Sequence, residues 1–318
     1  MPLSDPTPER PVQPYVFHFG PFRFESQIDI PELHTSTGSG EKLVSIRLGS
    51  VPRTIEGAAP YGEHCQVAPR EYLLEIPGTA RYYVRNGSEV LLDIEPEVPP
   101  ANVSAYLLGS VLGVLCHQNG LLPLHASAIE HRGVVAAFLG DSGAGKSTLA
   151  ACLQRRGHRI VSDDICLLRS EADEMRVVPV AGWLKLWNET LNYLGEKPAE
   201  QNRIFSRHDK YRVFLPDAGT ERSRLGQVVF LVRDPDPQAQ PALHAMPQLD
   251  AIAGLMDMTY VNYVPVLAGQ QARVFAQCAG VLKHAQAWRL TLPWGLHRME
   301  SILDLLDREI FNIAGGAA

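Results

Sequence analysis

The residues with the clearest chemical meaning form a glycine-rich loop between an apolar run and a helical pattern. The loop is a complete G-x-x-x-x-G-K-[ST] sequence, made of Gly140, Asp141, Ser142, Gly143, Ala144, Gly145, Lys146 and Ser147. Glycines let such a loop curl until its N–H groups point at phosphate oxygens, and the helix N-terminus adds positive potential. We therefore expect this loop and Thr148 to bind the phosphates of ATP, with Lys146 at the β- and γ-phosphates and Ser147 on Mg²⁺.

Two adjacent acids, Asp163 and Asp164, follow the next apolar strand pattern, which ends at Ser162. A strand–helix–strand crossover normally makes its two strands parallel, so the acids and the phosphate loop should meet at one edge of a sheet. An aspartate there can hold Mg²⁺. Repulsion between neighbouring carboxylates can also raise the pKa of one of them, which then acts as a base toward a hydroxyl.

A histidine upstream of the loop is a further candidate. If residues 130–133 form a hairpin turn, His125 lies opposite Phe138, beside the start of the phosphate loop. The same arrangement puts Glu130 at the far end of the hairpin, which makes it a poor catalytic candidate. We therefore count His125 with Lys146 and one of the two acids as candidate catalytic residues.

Other basic residues have weaker claims. Alternation puts Trp183, Lys185 and Trp187 on one face of a possible strand, where Lys185 either guards an acceptor cleft or packs its stem on an exposed strand. A basic group further on either meets phosphate or an acidic peptide or is ordinary solvated charge; it comprises Arg203, Arg207, Lys210 and Arg212.

The elements that must position these residues divide the chain into two parts. Residues 1–97 read as a small β-rich module, with strands predicted at Tyr15–Phe19, Lys42–Leu48, Tyr72–Ile76, Ala80–Arg85 and Glu89–Ile94. Asn86-Gly87 is a strong signal for a two-residue hairpin turn. A long helix should follow, capped by Asn102 or Ser104 and ending near Asn119.

Residues 98–318 alternate strands and helices, which predicts an α/β domain built around the phosphate loop, or P-loop. Strands are expected at Leu122–Ile129, Val134–Leu139, His158–Ser162, Val228–Val232 and Arg289–Leu292. Helices are expected at 146–156, 268–287 and 296–311, the last with a core-facing stripe of Leu296, Met299, Ile302, Leu303, Leu306 and Ile310. The segment 233–247 reads as a loop.

Composition excludes several classes of protein. The chain has 318 residues, 45% hydrophobic and 20% charged, with a net charge of −6, which argues against a general nucleic-acid or membrane-surface binder. Its five cysteines form no CxxC pair, so a disulfide framework or structural metal is not expected and a reducing cytoplasm is. The polar, Pro-rich amino terminus predicts a loose arm without a secretory signal, and the apolar run 101–115 is too short to span a membrane.

The phosphate loop, the His125-Ala126-Ser127 run before it and the segment from Arg156 to Asp164 together resemble the core of HPr kinase/phosphorylase. The resemblance covers residues 122–168. It implies that Asp164 binds the metal, that Asp163 is the catalytic base and that His125 supports the reacting phosphate. Thr148 stands where that family usually has Glu, Glu130 replaces its usual Asp, and its Arg/Gly-rich carboxyl-terminal loop is not found.

The whole chain looks more similar to HPr-kinase-related proteins that modify peptides, including lasso-peptide precursor kinases. The similar features are Pro31-Glu32-Leu33, residues 106–110, residues 184–187 and Lys210-Tyr211. That likeness implies an ATP- and Mg²⁺-dependent kinase acting on a serine hydroxyl of a peptide or small protein.

The alternatives are a P-loop ATPase or conformational switch, an HPr serine kinase, and a nucleotide-binding assembly protein without catalysis. Intact Lys146, Ser147, Asp163 and Asp164 argue against the last. The sequence leaves open GTP or pyrophosphate as the donor, and a homo-oligomer.

Overall fold

The computed structural model describes residues 14–34, 36, 38–171, 173–180, 182–197, 203, 209–215, 222–236, 238–293 and 295–311. The amino-terminal arm (residues 1–13) and Arg207 lie outside these ranges. The described residues form two large sheets, one small two-stranded sheet and eight α-helices, so the expected mixed α/β class is confirmed.

The first sheet has seven strands, all from the amino-terminal third of the chain. They are β1 (Tyr15–Ser26), β2 (Gly38–Leu48), β3 (Ala59–Tyr61), β4 (Cys65–Ala68), β5 (Glu71–Ile76), β6 (Ala80–Arg85) and β7 (Glu89–Ile94), in the order β1-β2-β7-β6-β5-β4-β3. Asn86 and Gly87 both have positive φ, 56° and 68°, so the predicted hairpin turn joins β6 to β7. The short strands β3 and β4 were not predicted from the sequence.

One long helical segment packs on this sheet. It contains α1 (Pro100–Tyr106), a π-helical segment (Leu107–Val111) and α2 (Leu112–Gln118). The prediction that Asn102 or Ser104 caps it is wrong, because the helix begins earlier, with Pro100 at its first turn, where proline's missing N–H costs nothing. The prediction that the run 101–115 is too short to span a membrane is wrong for the helical segment that contains it, because Pro100–Gln118 is long and apolar enough to cross one. Within the protein, 61% of its most apolar window is buried.

The second sheet carries the phosphate loop. Its nine strands are β8 (Leu122–Leu124), β9 (Ala126–His131), β10 (Val134–Leu139), β11 (Arg159–Ser162), β12 (Cys166–Glu171), β13 (Glu174–Val178), β16 (Ser223–Arg233), β17 (Ala242–Ala245) and β18 (Gln286–Leu292). β9 lies between β10 and β11 and is antiparallel to both. The strands β10 and β11 therefore run the same way without being neighbours, and their carboxyl ends share an edge as expected.

Two strands and six helices complete the fold. They are β14 (Trp183–Trp187), β15 (Lys210–Phe214), α3 (Lys146–Arg155), α4 (Asn188–Tyr193), α5 (Gln248–Asp257), α6 (Tyr263–Leu267), α7 (Gln271–Val281) and α8 (Met299–Leu306). Strands β14 and β15 pair as a separate antiparallel ribbon. The α8 stripe is buried in the core that includes α3, which confirms that its apolar face is structural.

Three sequence predictions are wrong in detail. The predicted helix 268–287 begins at Gln271 and ends at Val281, and its last residues belong to β18. The predicted loop 233–247 contains β17, which pairs with β18. The predicted strand 122–129 is broken at His125, whose backbone N–H donates to the Met258 carbonyl instead of joining the ladder.

A shared core crosses the proposed boundary between residues 97 and 98. One buried cluster contains Phe22 and Tyr82 of the first sheet together with Leu112 of α2 and Leu167 and Val178 of the second sheet. The two-domain division stays a prediction, and the common core fixes the first sheet against the elements that carry the phosphate loop.

Candidate active site

The phosphate loop joins β10, which is fully buried, to α3. Gly145 has a φ of 102°, a backbone conformation that favours glycine, and a Cβ there would also lie 2.9 Å from the Arg233 guanidinium, which would have to move. The Lys146 ammonium donates to the carbonyls of Gly140 at 2.6 Å and Asp141 at 3.1 Å. Burial lowers the pKa of Lys146 to about 8, against the opposing charges of the two nearby aspartates.

A cavity of about 400 Å³ opens over this loop. Residues 142–149 form its polar floor, and a wall of apolar side chains comprises Leu292, Leu296, Met299 and Ile302. The Thr148 hydroxyl is hydrogen-bonded at 2.8 Å to that of Thr190, another lining residue. A phosphate-binding floor beside an apolar wall fits a nucleotide, whose two ends need these two environments.

Asp163 lies directly behind the loop. Its Oδ1 accepts hydrogen bonds from the Ser127 hydroxyl at 2.5 Å and the Ser147 hydroxyl at 3.0 Å, and its Oδ2 accepts from the Lys185 N–H at 3.3 Å. Burial raises the pKa of Asp163; the Ser127 hydrogen bond opposes this, and the charge of Asp164 adds to it. The structure thus joins Asp163 to the hydroxyl expected to bind Mg²⁺.

Asp164 has different partners. It adopts a left-handed backbone with a φ of 70°, and its Oδ2 lies 2.5 Å from the Lys185 ammonium. Its Oδ1 lies 3.4 Å from Nδ1 of His125, and the side chain is 22% exposed. Burial alone would raise the pKa of Asp164, but the charges of Lys185 and His125 bring it down to about 2.

His125 reaches the site by a register different from the predicted one. Phe138 pairs with Ser127 and Leu139 with Ala126, so the prediction that His125 faces Phe138 is wrong by two positions. The hairpin closes with a tight turn at Arg132 and Gly133, both at positive φ, which shifts the ladder. His125 lies just beyond the last pair of this ladder, beside the loop. Burial lowers the pKa of His125, and the positive charge of Lys146 lowers it further. Glu130 contacts Arg159 at the far end, as expected.

A second cavity, of about 440 Å³, adjoins the first. Its walls come from residues 104–110 of the long helical segment, from the β14–β15 ribbon and from Tyr260. A π-helical irregularity at 107–111 falls in this wall, a place where such segments often mark function. Six residues line both cavities: His125, Ser142, Asp164, Lys185, Trp187 and Lys210.

The basic residues left open by the sequence divide into distinct groups. The predicted strand at 183–187 is confirmed, and Lys185 contacts Asp164. Arg203 pairs with Asp209 at 3.1 Å and lies over the Tyr211 ring, a surface arrangement away from both cavities.

The other two basic residues of this group that the structure describes, Lys210 and Arg212, line the second cavity, and Lys210 also lines the first. Arg212 pairs at 2.9 Å with buried Glu32, and the Lys210 ammonium lies 5.4 Å from the centre of the Trp187 ring.

Two residues of the site were missed as functional groups. Ser127 holds Asp163 and was quoted only as part of a motif; its place two residues after His125 along the strand was the available signal. Tyr260 lines the second cavity from a distant segment and packs where Gly113 has no side chain, since a Cβ there would lie 2.9 Å from its ring. Gly109 and Gly113, four residues apart in the sequence, indicate that a neighbour packs closely on the helix but do not identify that neighbour.

The donor set fits a hard divalent cation. Ser147, Asp163 and Asp164 offer hydroxyl and carboxylate oxygens, the ligands that Mg²⁺ prefers, at the edge of the phosphate loop. The resemblance assigns the metal to Asp164, whereas Ser147 contacts Asp163. The candidate catalytic, phosphate-binding and metal-binding residues therefore lie together, whereas Arg203 lies apart from them. Their division of labour stays a prediction.

Comparison with known proteins finds similarity over a limited stretch of the chain. No family model matches the chain. The HPr kinase/phosphorylase of Chlorobium phaeovibrioides is 38% identical over 53 residues, which are 17% of this chain and 16% of that protein. The solved Hpr(Ser) kinase/phosphatase of Coxiella burnetii is 16% identical, with a TM-score of 0.33, over 61% of this chain and 99% of that one. The sequence match indicates an HPr kinase/phosphorylase-like fold in the matched segment.

Proposed function

We propose that the protein is an ATP- and Mg²⁺-dependent kinase that transfers the γ-phosphate to a hydroxyl. The observation that carries this proposal is the junction of two cavities at His125 and Asp164. One cavity contains the phosphate loop, and the other is open to a second substrate. In-line transfer requires a donor and an acceptor on opposite sides of the transferred phosphoryl group, and two cavities that share lining residues beside the phosphate loop can hold them so.

The loop residues bind and orient the donor. When the donor binds, the Lys146 ammonium donates to phosphate oxygens in place of the Gly140 and Asp141 carbonyls. It neutralises the phosphate charge in a partly desolvated site. Ser147 and one of the aspartates hold Mg²⁺, which when bound neutralises charge on the β- and γ-phosphates. His125, half-buried beside Asp164, supports the transferred phosphate.

The two acids have two possible divisions of labour. The resemblance makes Asp163 the base and Asp164 the metal ligand, and the raised pKa of Asp163 favours that choice. The contacts favour the reverse, since Asp163 touches Ser147 and only Asp164 lines both cavities. Reach to the acceptor proton is the first requirement of a base, so we favour Asp164 as the base and Asp163 with Ser147 as the metal ligands.

The acceptor that we propose is a serine of a peptide or small protein. Support comes from the size of the second cavity and from the likeness to peptide-modifying relatives, including lasso-peptide precursor kinases. The sequence match to an HPr kinase/phosphorylase makes HPr serine a second candidate. We keep a cytoplasmic location as a prediction.

The proposal is tested by measuring how the γ-phosphate of ATP divides between a peptide hydroxyl and water. The purified protein is incubated with γ-labelled ATP, Mg²⁺ and a pooled library of serine peptides, and labelled peptide and free phosphate are measured separately. We expect labelled serine and little free phosphate, with labelling lost when Mg²⁺ is chelated. Steady release of phosphate without any labelled hydroxyl, including with HPr as acceptor, would replace the kinase by a P-loop ATPase.

A further inference from the structure

We call the first cavity the nucleotide cavity and the second the acceptor cavity. The acceptor cavity is lined by more cationic than anionic side chains. Three cations face it, Lys185, Lys210 and Arg212. Lys185 is paired with Asp164 at 2.5 Å. Arg212 is paired with Glu32 at 2.9 Å, and Glu32 also accepts a hydrogen bond from Ser104.

Lys210 differs from the other two cations. Among the described residues, no carboxylate oxygen lies within 4.0 Å of its ammonium, which lies over the Trp187 ring. Burial lowers the pKa of Lys210; the charge of Asp164 opposes that shift and the charge of Lys185 adds to it. A partly desolvated cation without a counterion favours a ligand that brings one.

The position of Lys210 identifies which part of a ligand it can meet. Strand pairing sets Lys210 opposite Trp187 and Arg212 opposite Lys185, so all four share one face of the ribbon. The other face, with Leu184, Leu186 and Tyr211, is buried in the core. The ribbon therefore holds this cationic face beside Asp164. The Lys210 ammonium is positioned by packing against the Trp187 ring and not by a salt bridge to a described residue.

We propose that the acceptor cavity selects an anionic acceptor, in which a carboxylate close to the reacting hydroxyl binds Lys210. This inference rests on the proposed kinase function and adds its substrate class. The carboxylate can belong to an Asp or Glu side chain or to the end of the peptide. Because Lys210 also lines the nucleotide cavity, a donor phosphate is the competing occupant.

Peptide binding tests the proposal independently of catalysis. The probes are acetylated, fluorescently labelled heptapeptides with a central serine, in matched pairs carrying Asp or Asn beside that serine and either a free or an amidated end. Anisotropy is measured with and without AMP-PNP and Mg²⁺, for wild type, Lys210→Met, Lys210→Arg and Lys283→Met. Lys283 is an exposed lysine outside both cavities and serves as the matched control.

We expect wild type to bind at least one carboxylate form about tenfold more tightly than its neutral partner, the scale of one charge-assisted hydrogen bond. Lys210→Met should abolish that preference, whereas Lys210→Arg and Lys283→Met should keep it. The Asp and free-end arms show which carboxylate is used. Equal binding of all forms by wild type, or no binding of any, overturns the proposal without relying on a variant.

Three further outcomes separate this inference from the proposed function. Weaker AMP-PNP binding by Lys210→Met, with peptide preference intact, assigns Lys210 to the donor phosphate and rejects the anionic acceptor site. Acid-selective peptide binding without phosphate transfer keeps the acceptor site and rejects the kinase. Phosphate transfer without any preference for a carboxylate in the peptide keeps the kinase and rejects the anionic acceptor site.

Discussion

The two cavities that meet at Asp164 are constructed in different ways. The nucleotide side takes its polar floor from one continuous segment, residues 142–149, held by the backbone between β10 and α3. The acceptor side is assembled from the long helical segment, the β14–β15 ribbon and Tyr260, with Glu32 and Arg212 tying the first sheet to the ribbon. The nucleotide side therefore depends on local backbone geometry, and the acceptor side on long-range side-chain contacts.

This difference gives the first sheet a role in the site. Glu32 follows β1 in a short 3₁₀ turn and is only 3% exposed, yet it contacts both Ser104 and Arg212 of the acceptor wall. Changes to the first sheet should therefore reach acceptor binding without reaching the phosphate loop. The predictions below separate the two sides.

The largest effects should come from the acids at the junction. Asp164→Asn should keep Mg²⁺-dependent nucleotide affinity and lower transfer by about 10²–10⁴-fold, because an amide cannot accept the acceptor proton. Asp163→Asn should weaken nucleotide binding in a Mg²⁺ titration, because an amide is a poorer ligand for a hard cation. The opposite pattern would restore the assignment implied by the resemblance.

Lys146→Ala should act on the nucleotide side alone. Loss of the ammonium removes charge neutralisation at the phosphates, so transfer should fall by at least about 100-fold while acceptor binding stays unchanged. Steady-state turnover and peptide anisotropy measure the two effects, with Lys283→Ala as the control. Near-normal turnover of folded Lys146→Ala would remove the loop from the mechanism.

Glu32→Gln should act on the acceptor side. It leaves the mostly buried Arg212 without its counterion, so the free energy of unfolding should fall by about 3 kcal/mol, with a changed acceptor KM and an unchanged ATP KM. Glu89→Gln, in an exposed pair with Arg85 on the same sheet, should cost less than about 1 kcal/mol. Denaturant unfolding and both KM values test this, and an altered ATP KM alone would contradict it.

The last expected effect lies outside both cavities and concerns stability in acid. His117 donates through Nε2 to the Tyr260 carbonyl at 2.9 Å, and burial lowers its pKa from 6.5 to about 4. Between those values the unfolded chain binds a proton that the folded chain does not, so stability falls as pH drops from 6.5 toward 4, by roughly 3 kcal/mol. His117→Gln should flatten this dependence in unfolding curves measured across that range. An unchanged slope would remove His117 as its source.

The nucleotide side was largely predictable because its information is local. The loop, its flanking strand and helix, and the position of the acids at the same sheet edge follow from short patterns, although the interposed strand β9 and the register of His125 do not. A two-residue shift in a hairpin depends on where the turn closes, which the apolar pattern of 122–129 does not specify.

The acceptor side was much less predictable because its partners are far apart in sequence. The alternation around Lys185 correctly gave a strand with one polar and aromatic face. Its pairing with residues 210–214, and the approach of Tyr260 to Gly113, depend on tertiary packing that no local pattern encodes. The basic group therefore looked uniform in sequence but has three environments in the structure.

The most direct test of the two-cavity account is to fill the acceptor cavity and follow the γ-phosphate. Ser110 lines that cavity and not the nucleotide cavity, so Ser110→Trp should bind AMP-PNP like wild type but lose most labelling of the serine peptide. Ser50→Trp, at an exposed position outside both cavities, should label the peptide normally. Undiminished peptide labelling by a folded Ser110→Trp protein would contradict the account, because the acceptor would then have to reach the phosphate by another route.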